Sequence, residues 1–310
     1  MPAPTLHEIN ERRLDAEARR RGATVDETRE LILQRGLAYE EQERARKQRE
    51  QELAADLILL TTGMTEFREL RATAQTLQYP FTPRRSAVQE YHHLGLINKN
   101  AVATARVGSM GAFNALFTSL QAHVDTGATT LILIGTAFGV DRSTQRIGDV
   151  LIGRSVQLYD RCRAIENDGE CRLEPGDNTL VHASDDKTQR FERAAKLLTD
   201  AGEIASRVSS GALLSGSVLI ESVRYRDDLL ARFSHVEPRV VGGEMEADGV
   251  VAVCARQRLN WILIKGVCDF ADASSRGAPL EQARSIAARN AAEFVLRALA
   301  ISPRPERRGV

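Results

Sequence analysis

The segment of residues 241–272 reads VGGEMEADGVVAVCARQRLNWILIKGVCDFAD. Its first half, residues 245–258, predicts a helix, and the apolar run Trp261-Ile262-Leu263-Ile264 that follows predicts a short strand with no polar face. A strand without a polar face is buried on both sides, which is typical of parallel sheets covered by helices. The segment therefore predicts an α/β fold.

The same alternation of helices and apolar strands continues over the chain from residue 55. Further strands are predicted at residues 57–60, 101–107, 131–134, 148–152 and 212–214, and further helices at residues 108–124 and 280–299. We expect a single α/β domain over residues 55–302, with a mixed, largely parallel sheet flanked by helices. In such sheets ligands bind at the carboxyl ends of the strands, so the chemistry is expected there.

Residues 1–54 form a charged extension, with 11 Lys and Arg against 12 Asp and Glu and almost no aromatic side chains. A pair of helices that turns at Gly22 is predicted, and Thr24 or Asp26 is the candidate N-cap of the second helix. Because acidic residues are interleaved with the cluster Arg19-Arg20-Arg21, we interpret the extension as an oligomerisation or partner-binding arm. The alternative is a small DNA-binding helix pair. Residues 303–310 are predicted to be a disordered tail.

The composition of the whole chain excludes several classes of protein. Lys and Arg number 42 and Asp and Glu number 42, so the net charge of zero gives no general attraction to nucleic acid or to an anionic membrane. No apolar run is long enough to span a bilayer and the N-terminus has no signal-peptide core, so we expect a cytoplasmic protein.

Metal and redox sites are not expected either. None of the four cysteines forms a CxxC pair, which argues against zinc and redox motifs. The adjacent His92 and His93 would point to opposite faces of a strand and chelate a metal poorly. The sequence therefore implies no metal and no organic cofactor.

Acidic residues stand at three places where predicted strands and helices meet. Glu66 follows the first strand, Glu244 and Glu246 lie at the start of the helix within residues 241–272, and Asp269 follows its strand. Carboxyl groups in such positions suit general acid and base catalysis when burial and neighbours tune them. The structural alternative is that Glu66 and Glu244 interact with a helix dipole and that Asp269 caps a turn.

The order of several motifs resembles the nucleoside phosphorylase superfamily, and in particular the methylthioadenosine/S-adenosylhomocysteine nucleosidases. The resemblance covers about residues 55 to 300 as an ordered series. The matching segments are LLTTGMTEFREL at residues 59–70, Gly108-Ser109-Met110-Gly111, LILIGTAFGVDRSTQRIGDVLIGRSVQLY at residues 131–159, Ser215-Gly216-Ser217, and residues 241–272. The resemblance implies an enzyme that breaks the bond between ribose and a purine base, and a homo-oligomer of two or more subunits.

The resemblance also implies a role for each matching residue. Protonated Asp269 would donate a proton toward N7 of the leaving purine, and Glu66 would activate a water molecule at the anomeric carbon. Ionised Glu246 would accept hydrogen bonds from the ribose 2′ and 3′ hydroxyls, while Met245 packs on the sugar. Thr136 completes the ribose contacts, and the base contacts are Ala137, Phe138, Leu219, Ile220 and Cys268.

Three departures from the family pattern bear on the reaction. Cys268 replaces the Ser usual before the catalytic Asp, and Phe138 replaces a small Gly and would reshape the base pocket. Hexameric bacterial phosphorylases carry a phosphate-binding Arg where this chain has Leu133. The missing Arg favours water over phosphate as the nucleophile. A phosphorylase remains the alternative, as does a nucleotide-binding regulator whose helical arm binds DNA or a partner.

Within the superfamily, the runs GTAFGVD, QRIGDVLI and GGEMEADGV are similar to nucleosidase-type domains of bacterial antiphage systems. That similarity implies a purine substrate, with adenine favoured, that is a nucleoside or a nucleotide. A 5′-phosphate would need cationic partners. Arg106, Arg142 and Arg146 are the candidate phosphate contacts, with Lys265 also near the predicted site; the alternative is that the loop arginines are solvated charges.

Overall fold

The computed structural model describes residues 6–167, 169–176, 179–272 and 278–301. The chain divides into two compact units, Met1–Glu52 and Leu53–Val310. The sequence placed this division after residue 54. The tail predicted for residues 303–310 lies outside the described residues.

The first unit contains a helix α1 (Leu6–Arg21) and most of a longer helix α2 (Val25–Leu53). Gly22 occupies the turn with a φ of 66°, a left-handed conformation that glycine adopts without steric cost. Thr24 caps α2, since its hydroxyl accepts a hydrogen bond from the Glu27 N–H at 3.2 Å. The carboxylate of Glu27 in turn accepts from the Thr24 N–H at 2.8 Å, which completes a capping box. Of the two predicted caps, Thr24 is therefore the one used.

The second unit is an α/β domain built on one large sheet. Its elements are β1 (Leu57–Thr61), α3 (Met64–Thr76), β2 (Thr82–Arg85), β3 (Glu90–Ile97), β4 (Asn100–Arg106), α4 (Ala112–Thr126), β5 (Thr130–Gly139), β6 (Val150–Leu158), β7 (Cys162–Asn167), β8 (Glu170–Pro175), β9 (Leu180–His182), α5 (Asp185–Asp200), β10 (Val208–Ser215), α6 (Val223–Arg232), β11 (Val240–Glu244), α7 (Ala247–Gln257), β12 (Asn260–Asp269) and α8 (Ala278–Ile301).

The strand order of the large sheet is β11-β10-β6-β12-β5-β1-β4-β3-β2, with β9 paired to β6. Strand β11 also pairs with β5, so β11, β10, β6, β12 and β5 form a closed ring. Pairings of β1 with β4 and β5, of β12 with β5, and of β10 with β6 and β11 are parallel. Pairings at the β2–β3–β4 edge, of β12 with β6, and of β11 with β5 are antiparallel. The sheet is thus mixed, as the sequence predicted.

Helices cover the sheet closely enough to bury its central strands completely. Every residue of β1 is buried, and the apolar run at the start of β12 is buried as well. Helix α8 lies so close to β12 that a Cβ on Gly266 would sit 2.1 Å from the carbonyl oxygen of Ala287. Gly266 is therefore required by the helix–strand distance. None of the described helices is both long and apolar enough to cross a membrane.

The predicted helix at residues 108–124 begins later than expected, at Ala112. Gly108 and Gly111 have φ values of 95° and 106°, so the backbone before Ala112 follows a glycine turn rather than a helix. This turn brings its N–H groups to the ends of the neighbouring strands.

Candidate active site

A cavity of about 320 Å³ opens where β1, β5 and β12 end. It brings together the residues that the sequence assigned to catalysis, to ribose and to the base: Glu66, Asp269, Met245, Glu246, Thr136, Ala137, Phe138, Leu219, Ile220 and Cys268. Its lining also includes Met64, Thr65, Met110, Glu244, Glu281 and Arg284. The carboxyl groups therefore meet in one concave site at the expected edge of the sheet.

Glu66 joins the ends of two parallel strands. One carboxylate oxygen accepts hydrogen bonds from the N–H groups of Thr62 at 2.6 Å and Gly63 at 3.0 Å, just after β1. The other accepts from the N–H of Thr136 at 2.8 Å, at the end of β5. A Cβ on Gly135 would lie 2.3 Å from this carboxylate, so only glycine leaves room for it. Glu66 is thus held in one orientation by backbone donors.

Glu244 has the structural role that the sequence left open for it. Its carboxylate accepts hydrogen bonds from the N–H groups of Glu246 at 3.0 Å and Ala247 at 3.1 Å. These are the first free amides of α7, so Glu244 caps the helix whose start carries Glu246. Glu246 is fixed from a second direction, because the Gly111 N–H donates to it at 3.1 Å.

Lys265 lies beneath these two carboxylates and is completely buried. Its Nζ is 3.3 Å from Glu244 Oε2 and 3.7 Å from Glu246 Oε2, although no described residue accepts a hydrogen bond from it in good geometry. Burial opposes its charge, but Glu244, Glu246 and Glu66 outweigh burial and raise the pKa of Lys265 above its ordinary value. Lys265 is therefore the buried counter-ion of the carboxylates rather than a surface cation for phosphate.

The pKa of Glu246 is raised to about 7. Burial is the largest cause, and Lys265 opposes it; the charges of Glu244 and Glu66 raise the value further, while the Gly111 hydrogen bond lowers it. Glu246 therefore changes its protonation state near neutral pH. The family resemblance had implied an ionised Glu246.

Asp269 is oriented by its immediate neighbours at the end of β12. One carboxyl oxygen accepts a hydrogen bond from the Ala271 N–H at 2.7 Å, and the other lies 3.0 Å from the Cys268 thiol, which donates to it. Burial, together with the charge of Asp269, holds the pKa of Cys268 well above its ordinary value. The thiol therefore stays protonated and acts as a donor to Asp269.

The apolar wall of the cavity is formed by Phe138, Leu219 and Ile220. The loop that carries Leu219 and Ile220 is held by the residues that follow β6. The Tyr159 hydroxyl donates to the carbonyl of Val218 at 3.0 Å, and the carboxylate of Asp160 accepts from the Ser217 N–H. Tyr159 and Asp160 were not predicted as site residues, because nothing in the local sequence marks residues after β6 as partners of a loop after β10.

The three predicted phosphate contacts do not line this cavity. Arg142 pairs with Asp272 at 2.5 Å and stacks on the Phe270 ring, 4.5 Å from its centroid. Arg146 lines a separate groove, where its N–H donates to Asp149. Arg106 ends β4 outside the cavity lining. Arg142 is therefore paired with a distant residue outside the cavity, and neither Arg106 nor Arg146 lines it.

Two cavity residues, Glu281 and Arg284, were missed. They belong to the first turns of α8, and the sequence offered only helical periodicity there. Lys265 did have a visible signal, since a lysine inside the apolar run WILIKGV must be buried with a counter-ion. Within the described ranges, no group of three or more His, Cys, Asp or Glu side chains is arranged to hold a metal ion.

Carboxyl groups in this cavity can act on two parts of one bound ligand. Asp269 stands beside the apolar wall, where a flat aromatic group fits. Glu66 and Glu246 are buried side chains of the same cavity, and their carboxylates would accept hydrogen bonds from hydroxyl groups or from water. A ligand with a planar base and a polyhydroxyl group matches this division.

Comparison with known sequences and solved structures identifies a family and several proteins that are similar to this chain. The sequence description of the phosphorylase superfamily matches residues 57–300. The chain is 26% identical to the ATP nucleosidase Cap17 of Escherichia coli (strain KTE188), over 55% of this chain and 36% of that protein. It is also 26% identical to a 5′-methylthioadenosine/S-adenosylhomocysteine nucleosidase of Glaesserella parasuis, over 65% of this chain and 82% of that protein.

A solved structure shows the same fold. The 5′-methylthioadenosine/S-adenosylhomocysteine nucleosidase of Neisseria meningitidis, in complex with methylthio-immucillin-A, superimposes with a TM-score of 0.62 at 18% identity. The superposition covers 79% of this chain and 99% of that chain. The present chain spans about a third of the length of the ATP nucleosidase that it matches, 36%.

Proposed function

Because this chain belongs to the phosphorylase superfamily, we propose that it is a purine nucleosidase, which hydrolyses the N-glycosidic bond of a purine nucleoside or nucleotide. The observation that carries the proposal is the meeting of Glu66, Glu246 and Asp269 in one cavity with an apolar wall. The names of the relatives, an ATP nucleosidase and a methylthioadenosine/S-adenosylhomocysteine nucleosidase, support a purine substrate, with adenine favoured.

Asp269 acts on the leaving group. Cleavage makes the purine increasingly negative, and a protonated Asp269 donates toward N7 and stabilises that charge. The base would lie against the wall formed by Phe138, Leu219 and Ile220, with Ala137 beneath it. The Cys268 thiol, which donates to Asp269, keeps the carboxyl group turned toward the base.

Glu246 and Met245 bind the ribose, and Glu66 with Thr136 places the nucleophile. An ionised Glu246 accepts hydrogen bonds from the 2′ and 3′ hydroxyls, and the thioether of Met245 packs on the sugar. Glu66 takes the proton of a water molecule at the anomeric carbon. The oxocarbenium-like centre needs correct placement more than a strong nucleophile, so one carboxylate is sufficient.

Water is favoured over phosphate for an electrostatic reason. Leu133, at the position of the phosphorylase arginine, is completely buried within β5 and does not line this cavity. The carboxylates of Glu66, Glu244 and Glu246 would repel a free phosphate anion, and their buried counter-ion Lys265 is already engaged by two of them.

Release of free base in phosphate-free buffer tests the proposal. Adenosine and adenine nucleotides are incubated with the protein, and free adenine is quantified with and without phosphate. Adenine with ribose or a ribose phosphate as co-product supports the nucleosidase. If ribose 1-phosphate forms, and only when phosphate is present, the protein is a phosphorylase. If the substrates bind but are not cleaved, the protein is a nucleotide-binding regulator.

A homo-oligomer is the proposed assembly, with helix α4 at the contact between copies. Met110, Phe113, Phe117 and Val124 lie one above another along α4 and its preceding turn, and all are more than half exposed. Met110 also lines the cavity, so a second copy on this apolar stripe would shield the site from water. Light scattering of the wild type and of Phe113→Asp tests this assembly. A wild-type dimer that becomes a monomer in Phe113→Asp supports the contact through α4, and a monomeric wild type refutes the oligomer.

The biological setting is proposed from the same resemblance: a cytoplasmic antiphage effector that depletes purine nucleotides. Phage plaque counts on cells that express the wild type or Glu66→Ala test it. Protection that the substitution abolishes supports the role, and equal plaque counts contradict it.

A further inference from the structure

The cavity contains one candidate for binding an anionic group on the substrate. Arg284 is the only Lys or Arg among the described residues that line it. The Arg284 side chain is 36% exposed, so it is largely buried and still accessible to solvent. No residue assigned to the base or the ribose comes from α8, so Arg284 has no task in the reaction proposed above.

The present partner of Arg284 is a neighbour on its own helix. Glu281, one turn earlier on α8, pairs with it at 3.0 Å, and the Glu281 side chain is 61% exposed. An exposed pair between residues three apart is weak and exchanges readily for a stronger partner. A phosphate group is a stronger partner, because its oxygens accept two parallel N–H bonds from a guanidinium.

The position of Arg284 matches the ribose end of the ligand. Met64 and Thr65, from the first turn of α3, line the same cavity as Arg284. That turn carries Glu66, and α3 lies beside α8, where Glu69 of α3 is 3.9 Å from the largely exposed Arg289. The apolar base wall comes instead from β5 and from the loop after β10. A substituent at the 5′ carbon of the ribose would therefore extend toward Arg284.

We propose that Arg284 binds the 5′-phosphate of a nucleotide substrate and that Glu281 competes with this phosphate for the guanidinium. The proposal rests on the nucleosidase function proposed above and specifies its substrate as a 5′-phosphorylated nucleoside. The start of α8 contributes in the same direction, because a helix N-terminus favours a nearby anion.

The test compares kcat/KM for AMP and for adenosine in the same protein. Arg284→Ala should lower kcat/KM for AMP on the order of 10-fold or more while changing that for adenosine less than about threefold. Arg284→Lys should retain part of the AMP activity, since a lysine offers charge without the bidentate geometry. Arg289→Ala is the matched control: it removes an arginine from the same helix, outside the cavity, and should affect neither substrate.

Glu281→Gln tests whether the Glu281 carboxylate competes with the 5′-phosphate for Arg284. Removing the competing carboxylate should raise kcat/KM for AMP by about two- to fivefold and leave adenosine unchanged. An unchanged or lowered AMP value would contradict the competition between Glu281 and phosphate.

Two outcomes would refute the proposed role of Arg284 but leave the proposed nucleosidase function in place. One is wild-type cleavage of adenosine but not of AMP. The other is an equal loss of kcat/KM for AMP and for adenosine in Arg284→Ala. That result would mean that the charge of Arg284 acts on Cys268 and Asp269 rather than on a phosphate. Absence of base release from either substrate in the wild type would instead refute the nucleosidase itself.

Discussion

The ammonium group of Lys265 lies 3.7 Å from the carboxylate of Glu246, and the two side chains are shielded almost entirely from solvent. Glu244 completes the cluster, 3.3 Å from the same ammonium. In this environment Lys265 lowers the pKa of Glu246, whereas burial and the neighbouring acids raise it. The balance sets the protonation state of Glu246, the residue that we propose to bind the ribose.

The first prediction concerns pH. Because the pKa of Glu246 is about 7, the residue is protonated below that pH and ionised above it. The ionised form accepts the ribose hydroxyls, so kcat/KM for a ribonucleoside should rise with pH on a limb centred near 7. Lys265→Met removes the charge that lowers this pKa, so the limb should move to higher pH. A limb that stays in place in Lys265→Met would contradict this assignment.

The same substitution should cost stability in a pH-dependent way. Lys265→Met leaves buried carboxylates without a counter-ion, a loss of about 3 kcal/mol in the free energy of unfolding. Since the folded pKa of Glu246 lies above its ordinary value, the folded state takes up a proton as pH falls below about 7, which relieves the repulsion. Urea unfolding should therefore show a larger loss at pH 8 than at pH 6.

The second prediction concerns the general acid. Asp269→Asn keeps the shape of the side chain but removes the transferable proton, so turnover should fall by about 100-fold or more. Cys268→Ser is the matched control, because a hydroxyl replaces the thiol as donor to Asp269 and should retain activity. Cys268→Ala removes that donor and should lower kcat by about fivefold. Unchanged turnover in Asp269→Asn would refute the assignment.

The third prediction concerns ribose recognition. Glu246→Gln should weaken binding of ribonucleosides, and 2′-deoxyribonucleosides should lose less, since they lack one of the two hydroxyls that Glu246 contacts. The measurement is kcat/KM for adenosine and for 2′-deoxyadenosine in both proteins. Equal losses on the two substrates would argue against a ribose contact.

The fourth prediction concerns the nucleophile. Glu66→Ala should abolish base release in phosphate-free buffer, because no other carboxylate would be positioned to take the proton of the attacking water. Adenine should still bind, as measured by calorimetry, since the base wall and Asp269 remain. Persistent hydrolysis by Glu66→Ala would mean that another group activates the water.

The fifth prediction concerns residues 1–52. The unit from Leu53 onward has its own buried core, in which Leu60, Leu131 and Leu263 are completely shielded. A protein that starts at Leu53 should therefore fold and release base, while its oligomeric state or regulation changes. Circular dichroism measures whether this protein folds, and the adenine assay measures whether it releases base. An insoluble product would show that the N-terminal helices belong to the core.

Much of the fold follows from local pattern in the sequence. The apolar runs at residues 57–60, 131–134 and 261–264 predict buried strands because such runs cannot form one exposed face, and the structure places them side by side in the sheet. Short strands such as β2 and β9 were missed, since exposed edge strands of a few residues lack that pattern.

What the sequence determined by itself was that carboxyl groups stand where strands and helices meet, within a series of motifs ordered as in a known superfamily. Only the tertiary structure decided which cation meets which anion. Arg142 and Arg146 are close in sequence to β5 yet lie outside the cavity lining, where Arg142 pairs with Asp272, while Arg284, on α8, lines the cavity. Local sequence determines which residues share one face of a strand or of a helix. The distance between two charges depends instead on how separate elements pack together.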